Sequence, residues 1–262
     1  MVARIVVLML LFAPVLSASA EEWTKTFTVT GKPAVEVQAD DGNVRVRSCD
    51  CNTVAARVLS QGYRANELKI TSSQTGDRIE LEVLTHGIHF GIGFHRQRLD
   101  IELTMPRESA LTVRTGDGNI DAEQLKGEFR LSTGDGNIEL RSLDGALQAK
   151  SGDGHMDVAG RFDALDLQSG DGSIRAEIAE GSKINSGWSV HTGDGRITMR
   201  VPKDFSAELD VHSSDGHVHS ELPVTMDNFD SKHENDLHGK LNSGGGELRL
   251  RSGDGSIYLE TL

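Results

Sequence analysis

Along much of the chain, apolar and polar side chains alternate one by one, and the same short polar step interrupts the alternation again and again. Leu111/Val113, Phe129/Leu131, Leu147/Ala149, Leu165/Leu167, Trp188/Val190, Leu209/Val211 and Leu248/Leu250 are apolar pairs that precede the step. Ile120/Ala122, Ile138/Leu140, Met156/Val158, Ile174/Ala176, Ile197/Met199 and Ile257/Leu259 follow it. A period of two belongs to a strand with one buried face. The positions between are polar: Thr112, Arg114, Arg130, Lys150 and Gln168 before the step, then Asp121, Glu139, Asp157 and Arg175 after it. A slip of one residue would exchange the two faces of every strand, so this pattern specifies the register.

The step is itself a repeat. Thr115-Gly-Asp-Gly-Asn-Ile120 returns as Thr133-Gly-Asp-Gly-Asn-Ile138, Ser151-Gly-Asp-Gly-His-Met156, Ser169-Gly-Asp-Gly-Ser-Ile174, Thr192-Gly-Asp-Gly-Arg-Ile197, Ser213-Ser-Asp-Gly-His-Val218 and Ser252-Gly-Asp-Gly-Ser-Ile257, with Asp40-Asp-Gly-Asn-Val44 near the start. The aspartates at 117, 135, 153 and 171 are 18 residues apart, and the later steps lengthen to 23, 21 and 39. Glycine on each side of Asp predicts a tight bend with positive φ, with the Asp side chain bonded to its own following backbone. The Ser or Thr hydroxyl lies on the inward parity, where it can satisfy backbone groups that the bend removes from the ladder.

A unit of 18 residues with two short strands cannot bury its apolar side alone, but a stack of such units can. The expected fold is therefore all-β, a single-stack β-solenoid in which Ile120, Ile138, Met156 and Ile174 form one inward row. A second turn per unit is expected at Leu125-Lys-Gly127, Leu143-Asp-Gly145 and Leu241-Asn-Ser-Gly-Gly-Gly246. The rival is an antiparallel meander or sandwich, because Asp-Gly between alternating runs is also a hairpin signal.

Residues 109–262 carry the regular repeats, continuous with a less regular region, 21–108, of β coils and a cap. In that region Val35 to Val46, Val54 to Leu59, Leu68 to Ile70, Ile79 to Leu84 and Leu99 to Met105 have strand patterns, whereas His86 to His95 and Met226 to Gly239 have loop composition. Residues 1–20 have the pattern of a cleaved export signal: Arg4, an apolar run from Ile5 to Leu16, and small residues ending at Ala20. That run is shorter than the roughly 20 residues a membrane helix needs, so no transmembrane segment is expected in the mature chain.

Charge then narrows the function classes. The formal net charge is -13, and removal of Arg4 with the signal makes it -14, which excludes nucleic acid as a natural partner. Aromatic residues make up only 5% against 29 glycines, a balance that favours turns over a large aromatic core. Cys49 and Cys51 flank a single Asp50, so either a local bridge or two idle thiols is expected in an oxidising compartment.

On these residues the chain resembles the bacterial putative-adhesin family, an exported domain of unknown function. The likeness rests on the Ser/Thr-Gly-Asp-Gly-x-Ile series, on Met105-Pro-Arg107 and Val201-Pro-Lys203 leading into new strands, and on the closing segment from Gly244 to Ile257. The resemblance implies surface attachment and supplies no catalytic residues. Ser213-Ser-Asp-Gly216, which lacks the first glycine, and the insertion before Gly239 depart from the pattern.

The expected function is thus a non-catalytic envelope scaffold or adhesion module, with an envelope protein or a glycan as partner and no cofactor. Calcium is the main alternative: Asp117, Asp135, Asp153 and Asp171 would stack in turns like those of a calcium-binding β-roll. In that motif, however, Asp stands two residues before the buried aliphatic residue, whereas Asp117 stands three before Ile120. Without metal, neighbouring carboxylates about 4.8 Å apart would repel by only about 0.9 kcal/mol in water. His191, His212, Asp215, His217 and His219 form a weaker candidate set for zinc or copper, with His191 and His212 expected as outward neighbours. A β-helical polysaccharide enzyme is the lesser alternative, since Asp121, Glu139, Asp157 and Arg175 would form an outward row. No nucleophile motif, metalloprotease helix or phosphate loop accompanies that row.

Overall fold

The computed structural model describes residues 21–64, 66–86, 97–225 and 232–262. The strands in chain order are β1 (Glu21–Thr28), β2 (Ala34–Ala39), β3 (Asn43–Cys49), β4 (Thr53–Gln61), β5 (Leu68–Thr75), β6 (Arg78–Thr85), β7 (Arg98–Pro106), β8 (Ala110–Arg114), β9 (Ile120–Glu123), β10 (Lys126–Ser132) and β11 (Ile138–Ser151). They continue as β12 (Met156–Ser169), β13 (Ile174–Ile178), β14 (Trp188–Thr192), β15 (Ile197–Val201), β16 (Ala207–Ser213), β17 (Val218–Ser220), β18 (Val224–Thr225), β19 (Lys232–His233), β20 (Asp236–Leu241), β21 (Glu247–Ser252) and β22 (Ile257–Thr261). The expected N-terminal strand segments are present, Val35 to Val46 as two strands, β2 and β3, and β1 is an addition to them.

The fold is a β-solenoid. Strands on either side of Asp117, Asp135 and Asp153 pair in parallel with their equivalents one coil away and not with each other, which rules out the meander. Two ladders result. Before the turn the order in space is β5, β6, β2, β8, β10, β11, β12, β14, β21, β16, β20. After the turn it is β1, β4, β7, β3, β9, β11, β12, β13, β15, β22, β17. Antiparallel strands close the stack at three of the four ladder ends, β5, β1 and β20.

Space and sequence disagree at both ends of the stack. The coil of β2 and β3 lies between the coil of β6 and β7 and that of β8 and β9. Likewise β21 and β22, last in the chain, lie between β14–β15 and β16–β17. Between the ladders runs one apolar core, in which Ile101, Val44, Ile120, Ile138, Met156, Ile174, Ile197 and Ile257 form a single buried row. Full burial of each such side chain contributes roughly 1.5 to 3 kcal/mol. Within this core the Trp188 ring lies 5.4 Å from that of Phe205, and its indole N–H is a buried donor without a partner among the described residues.

The expectation about the Gly-Asp-Gly bend needs correction on two points. First, none of the motif glycines has positive φ; that conformation falls in the second turn, at Gln124, Gly127, Ser142 and Gly145. Glycine is needed at the bend because successive coils touch there through their backbones. A Cβ on Gly134, Gly152, Gly170, Gly193 or Gly253 would lie 2.5 to 2.7 Å from the carbonyl oxygen of the first glycine one coil away. At Gly136, Gly154, Gly172 and Gly195 it would come closer still to the carbonyl of the second. Second, the carboxylates of Asp117, Asp135, Asp153 and Asp171 are exposed and hydrogen-bond to none of the described residues.

The buried hydroxyl does that work instead. Thr133 Oγ1 accepts from Gly136 N–H at 3.3 Å and donates to the Gly118 carbonyl at 2.8 Å. The same two bonds recur at Ser151, Ser169, Thr192, Ser213 and Ser252, so each hydroxyl closes its own turn and ties it to a neighbouring coil. Cys49 and Cys51 are joined by a disulfide in the bend from β3 to β4.

Two stability measurements follow. Gly136→Ala should cost roughly 1 to 3 kcal/mol or more in chemical denaturation, because the added methyl forces two coils apart. Gly76→Ala, at a left-handed φ with open space around it, should cost only about 1 kcal/mol. A Gly136→Ala loss no greater than that at Gly76 would refute the close-approach account. Thr133→Val should cost roughly 1 to 3 kcal/mol for each buried backbone group it strands, while Thr133→Ser keeps both bonds and most of the stability.

Candidate functional site

The outward positions of the second ladder form rows by the same register that builds the core. Arg45, Asp121, Glu139, Asp157, Arg175, Thr198, Tyr258 and His219 succeed one another across β3, β9, β11, β12, β13, β15, β22 and β17. The expected row of Asp121, Glu139, Asp157 and Arg175 is therefore present. Burial raises the Asp121 carboxyl above its usual range; nearby Arg45 opposes this and Glu139 adds to it. Arg141 pairs with Glu139, and Arg175 meets Asp157 at 3.4 Å. In the next outward row Arg200 lies between Glu177 and Glu260, at 3.1 and 2.9 Å.

A further row follows the turns, and the sequence pattern gave no reason to single it out. At six of the turns the residue after the second glycine presents a side-chain acceptor to the backbone N–H of the same position one coil on. Asn43 accepts from Asn119, Asn119 from Asn137, Asn137 from His155, His155 from Ser173, Ser173 from Arg196, and Ser256 from His217, at 2.8 to 3.2 Å. Asn, His and Ser share only a short acceptor in reach of the next coil, a likeness that appears once the coils are stacked.

The histidines do not gather. His191 and His212 are not neighbours as expected, because β21 inserts Arg251 between them. His212 Nδ1 instead lies 2.5 Å from Asp236, across to the closing strand β20. His217 Nε2 stands 3.8 Å from Glu234, and the His219 ring lies 6.1 Å from Tyr258. Asp215 is exposed, with its N–H on the Gly253 carbonyl at 2.9 Å. Of the loop histidines, His86 is described and exposed, while His89 and His95 lie outside the described residues. Among the described residues no three potential ligands converge on a metal position.

The closing strand β20 brings in residues that sequence reasoning passed over. His238 pairs with Asp210 at 3.1 Å, and Arg249 and Arg251 pair with the same carboxylate. Burial pushes Asp210 up, but the bonds and charge of Arg251, with Arg249 and His238, outweigh it and hold the carboxyl below its usual range. At the opposite bend Arg161 grips Asp163 through two nitrogens, both at 2.8 Å, and Asp144 at 2.5 Å. These arrangements spend charge on holding coils together.

The outer surface has recesses without deep enclosure by the core. One of about 410 Å³ lies at β2, β5 and β6, lined by residues including Glu36, Glu80 and Glu82; another of about 450 Å³ lies over β12, β13 and β15. No helix of the described residues is long and apolar enough to cross a membrane.

A family model, Toastrack DUF4097, matches residues 35–186 and, in a second match, 162–260. A comparison with curated proteins finds no match. Among solved structures, a "putative cell adhesion protein" from Clostridium sporogenes is similar at 14% identity and TM-score 0.43, over 93% of this chain and 100% of that one. A "putative lipid binding protein" from Parabacteroides distasonis is similar at 13% identity and TM-score 0.45, over 92% and 98%. A "putative adhesin" from Parabacteroides merdae is similar at 12% identity and TM-score 0.40, over 91% and 96%.

The raised Asp121 carboxyl gives a pH-dependent expectation. An acid whose pKa is higher in the folded state costs stability above that pKa and costs none where both states are protonated. Asp121→Asn should therefore be more stable than the parent at pH 7, because the amide carries no charge to desolvate. The gain should vanish below about pH 3.5, under the unfolded Asp value. Urea midpoints of both proteins at pH 7 and pH 3 measure it, and an equal gain at both would contradict the assignment.

Proposed function

The chain belongs to the Toastrack DUF4097 family, and from that premise we propose that it is a non-catalytic interaction module of the cell envelope, working as a scaffold or in adhesion. The observation that carries this is the fixed outward array. Hydroxyl and acceptor ladders hold successive coils in register, so the surface presents repeated rows of side chains on a rigid frame. Such a surface suits an extended ligand met at many points, a glycan strand or the face of another protein. Residues 1–20 serve in this proposal as a cleaved export signal, and the protein acts in the periplasm or at the cell surface.

The ionisable groups support the same view. The carboxyls of Glu22, Glu80 and Glu108 are held below the usual range by exposed ion pairs with Arg57, Arg78 and Lys32, and that of Asp163 by a half-buried pair with Arg161. None of these pairs forms a nucleophile, base and orienting group around a reacting centre. In this proposal the aspartate column at the turns holds no calcium.

Binding of the purified protein to isolated envelope material is the test, with and without calcium. Saturable retention, equal in millimolar calcium and in chelator, is expected, together with superimposable melting curves. A calcium site filled at a hundredfold excess over Kd would add about 2.7 kcal/mol, enough to displace the melt. Release of reducing sugar ends from envelope polysaccharide would replace this proposal with the enzyme. A calcium-dependent melt abolished by substituting Asp135 and Asp153 would replace it with the β-roll.

A further inference from the structure

One outward row of the second ladder changes character along the stack. Asp121, Glu139 and Asp157 on β9, β11 and β12 give way to Arg175, Thr198 and Tyr258 on β13, β15 and β22, with Arg196 in the turn before β15, whereas the next row mixes acids and arginines throughout. Where the change occurs lies the recess of about 450 Å³, whose polar lining is His155, Asp157, Ser173, Arg175, Arg196 and Thr198.

The hydrogen bonds already made there determine what is left over. His155 Nδ1 accepts from the Ser173 N–H at 3.0 Å, so in the neutral ring the proton resides on Nε2, which becomes a donor to the outside. Ser173 Oγ accepts from the Arg196 N–H at 3.2 Å and keeps its own proton to give. The Arg196 guanidinium stands 5.0 Å over the Tyr258 ring and pairs with no carboxylate among the described residues. Stacking of this kind fixes the plane of a guanidinium while leaving its N–H edge free. Among the described residues Arg175 is held only by Asp157, in a pair more than half exposed on both sides, a bond worth about 0 to 1 kcal/mol and readily exchanged.

Two guanidiniums, one imidazole N–H and two hydroxyls thus face one recess against the single carboxylate of Asp157, on a protein of net charge -13. That set is made for an oxyanion flanked by hydroxyl groups. The donors lie at the starts of β12, β13 and β15 and in the turns just before them, on coils spaced by about 4.8 Å, close to the length of one sugar ring along a glycan. We propose that this recess binds a carboxylated sugar of an acidic glycan. Arg196 and Arg175 take the carboxylate; His155, Ser173 and Thr198 meet the sugar hydroxyls; Tyr258 is a positioning residue for Arg196. This rests on the surface-binding function above and names its ligand class.

The experiment is calorimetric titration of the purified protein with a short oligogalacturonate, with the fully methyl-esterified oligomer, and with inorganic phosphate. The esterified probe has the same sugars without the charge. The acid is expected to bind, the ester at least roughly tenfold more weakly, in line with the loss of a charge-assisted bidentate contact. Arg196→Ala should lose binding by about the same factor, Arg196→Lys should recover part of it, and Tyr258→Phe should bind like the parent where Tyr258→Ala does not. Arg114→Ala, on the other ladder, is the control and should leave affinity unchanged, and melting curves report whether each variant is folded. Equal binding of acid and ester overturns the site, as does binding of phosphate without the acid, or a folded Arg196→Ala that binds normally. Should no probe bind while envelope retention persists, this site fails and the surface-binding function stands; should the acid bind through Arg196 while envelope material is not retained, the reverse holds.

Discussion

The structure depends on how closely one coil can approach the next at the Gly-Asp-Gly bend. Strands separated by the usual ladder spacing leave little room where the backbone turns, because at the bend carbonyls point along the stack. Here the carbonyl of one glycine occupies the place a Cβ would take on the glycine of a neighbouring coil. Any side chain there would spread the coils, and spreading would break the hydroxyl bonds beneath, since the Ser and Thr groups reach the neighbouring carbonyl at 2.8 to 3.1 Å.

Much of this could be seen in the sequence, and what escaped it did so for physical reasons. Inward and outward positions were legible because a period of two leaves no freedom, and Ile120 to Ile174 stack as that pattern requires. The role of glycine was not, since close approach and positive φ favour the same residue, and only the dihedral angles separate them. The order of coils in space was not legible either. Alternation records which face is buried and not which neighbour buries it, so β21 was free to come between β14 and β16 and part His191 from His212.

The candidate site was less legible than the fold. Arg196 and Tyr258 are 62 positions apart and meet only because β22 packs on β15. His155 sits in a motif position where Asn stands in the two preceding coils, and its Nδ1 does the same work as the amide oxygen. A histidine that would ordinarily be weighed as a ligand or a base is first an acceptor in a backbone ladder, and only its second nitrogen is left for binding. The acids differ in the same way: Asp210 and Asp163 are engaged by arginines, whereas Asp117, Asp135, Asp153 and Asp171 are exposed without a side-chain hydrogen-bond partner among the described residues.

The interleaved ends bear on how the chain can be assembled on the ribosome and how it can change length. The strands β16 and β17 are synthesised well before the coil that seats them, so they must wait, unpaired on that side, until residues 247–261 have emerged. Folding from the first residue onward can run smoothly through the 18-residue coils but has to pause there, and the pause exposes strand edges that can associate wrongly. Duplication of a coil is tolerated best in the stretch from β10 to β13, where each unit contacts only the one before and the one after it. A lineage that lengthens this protein should therefore grow it from the middle.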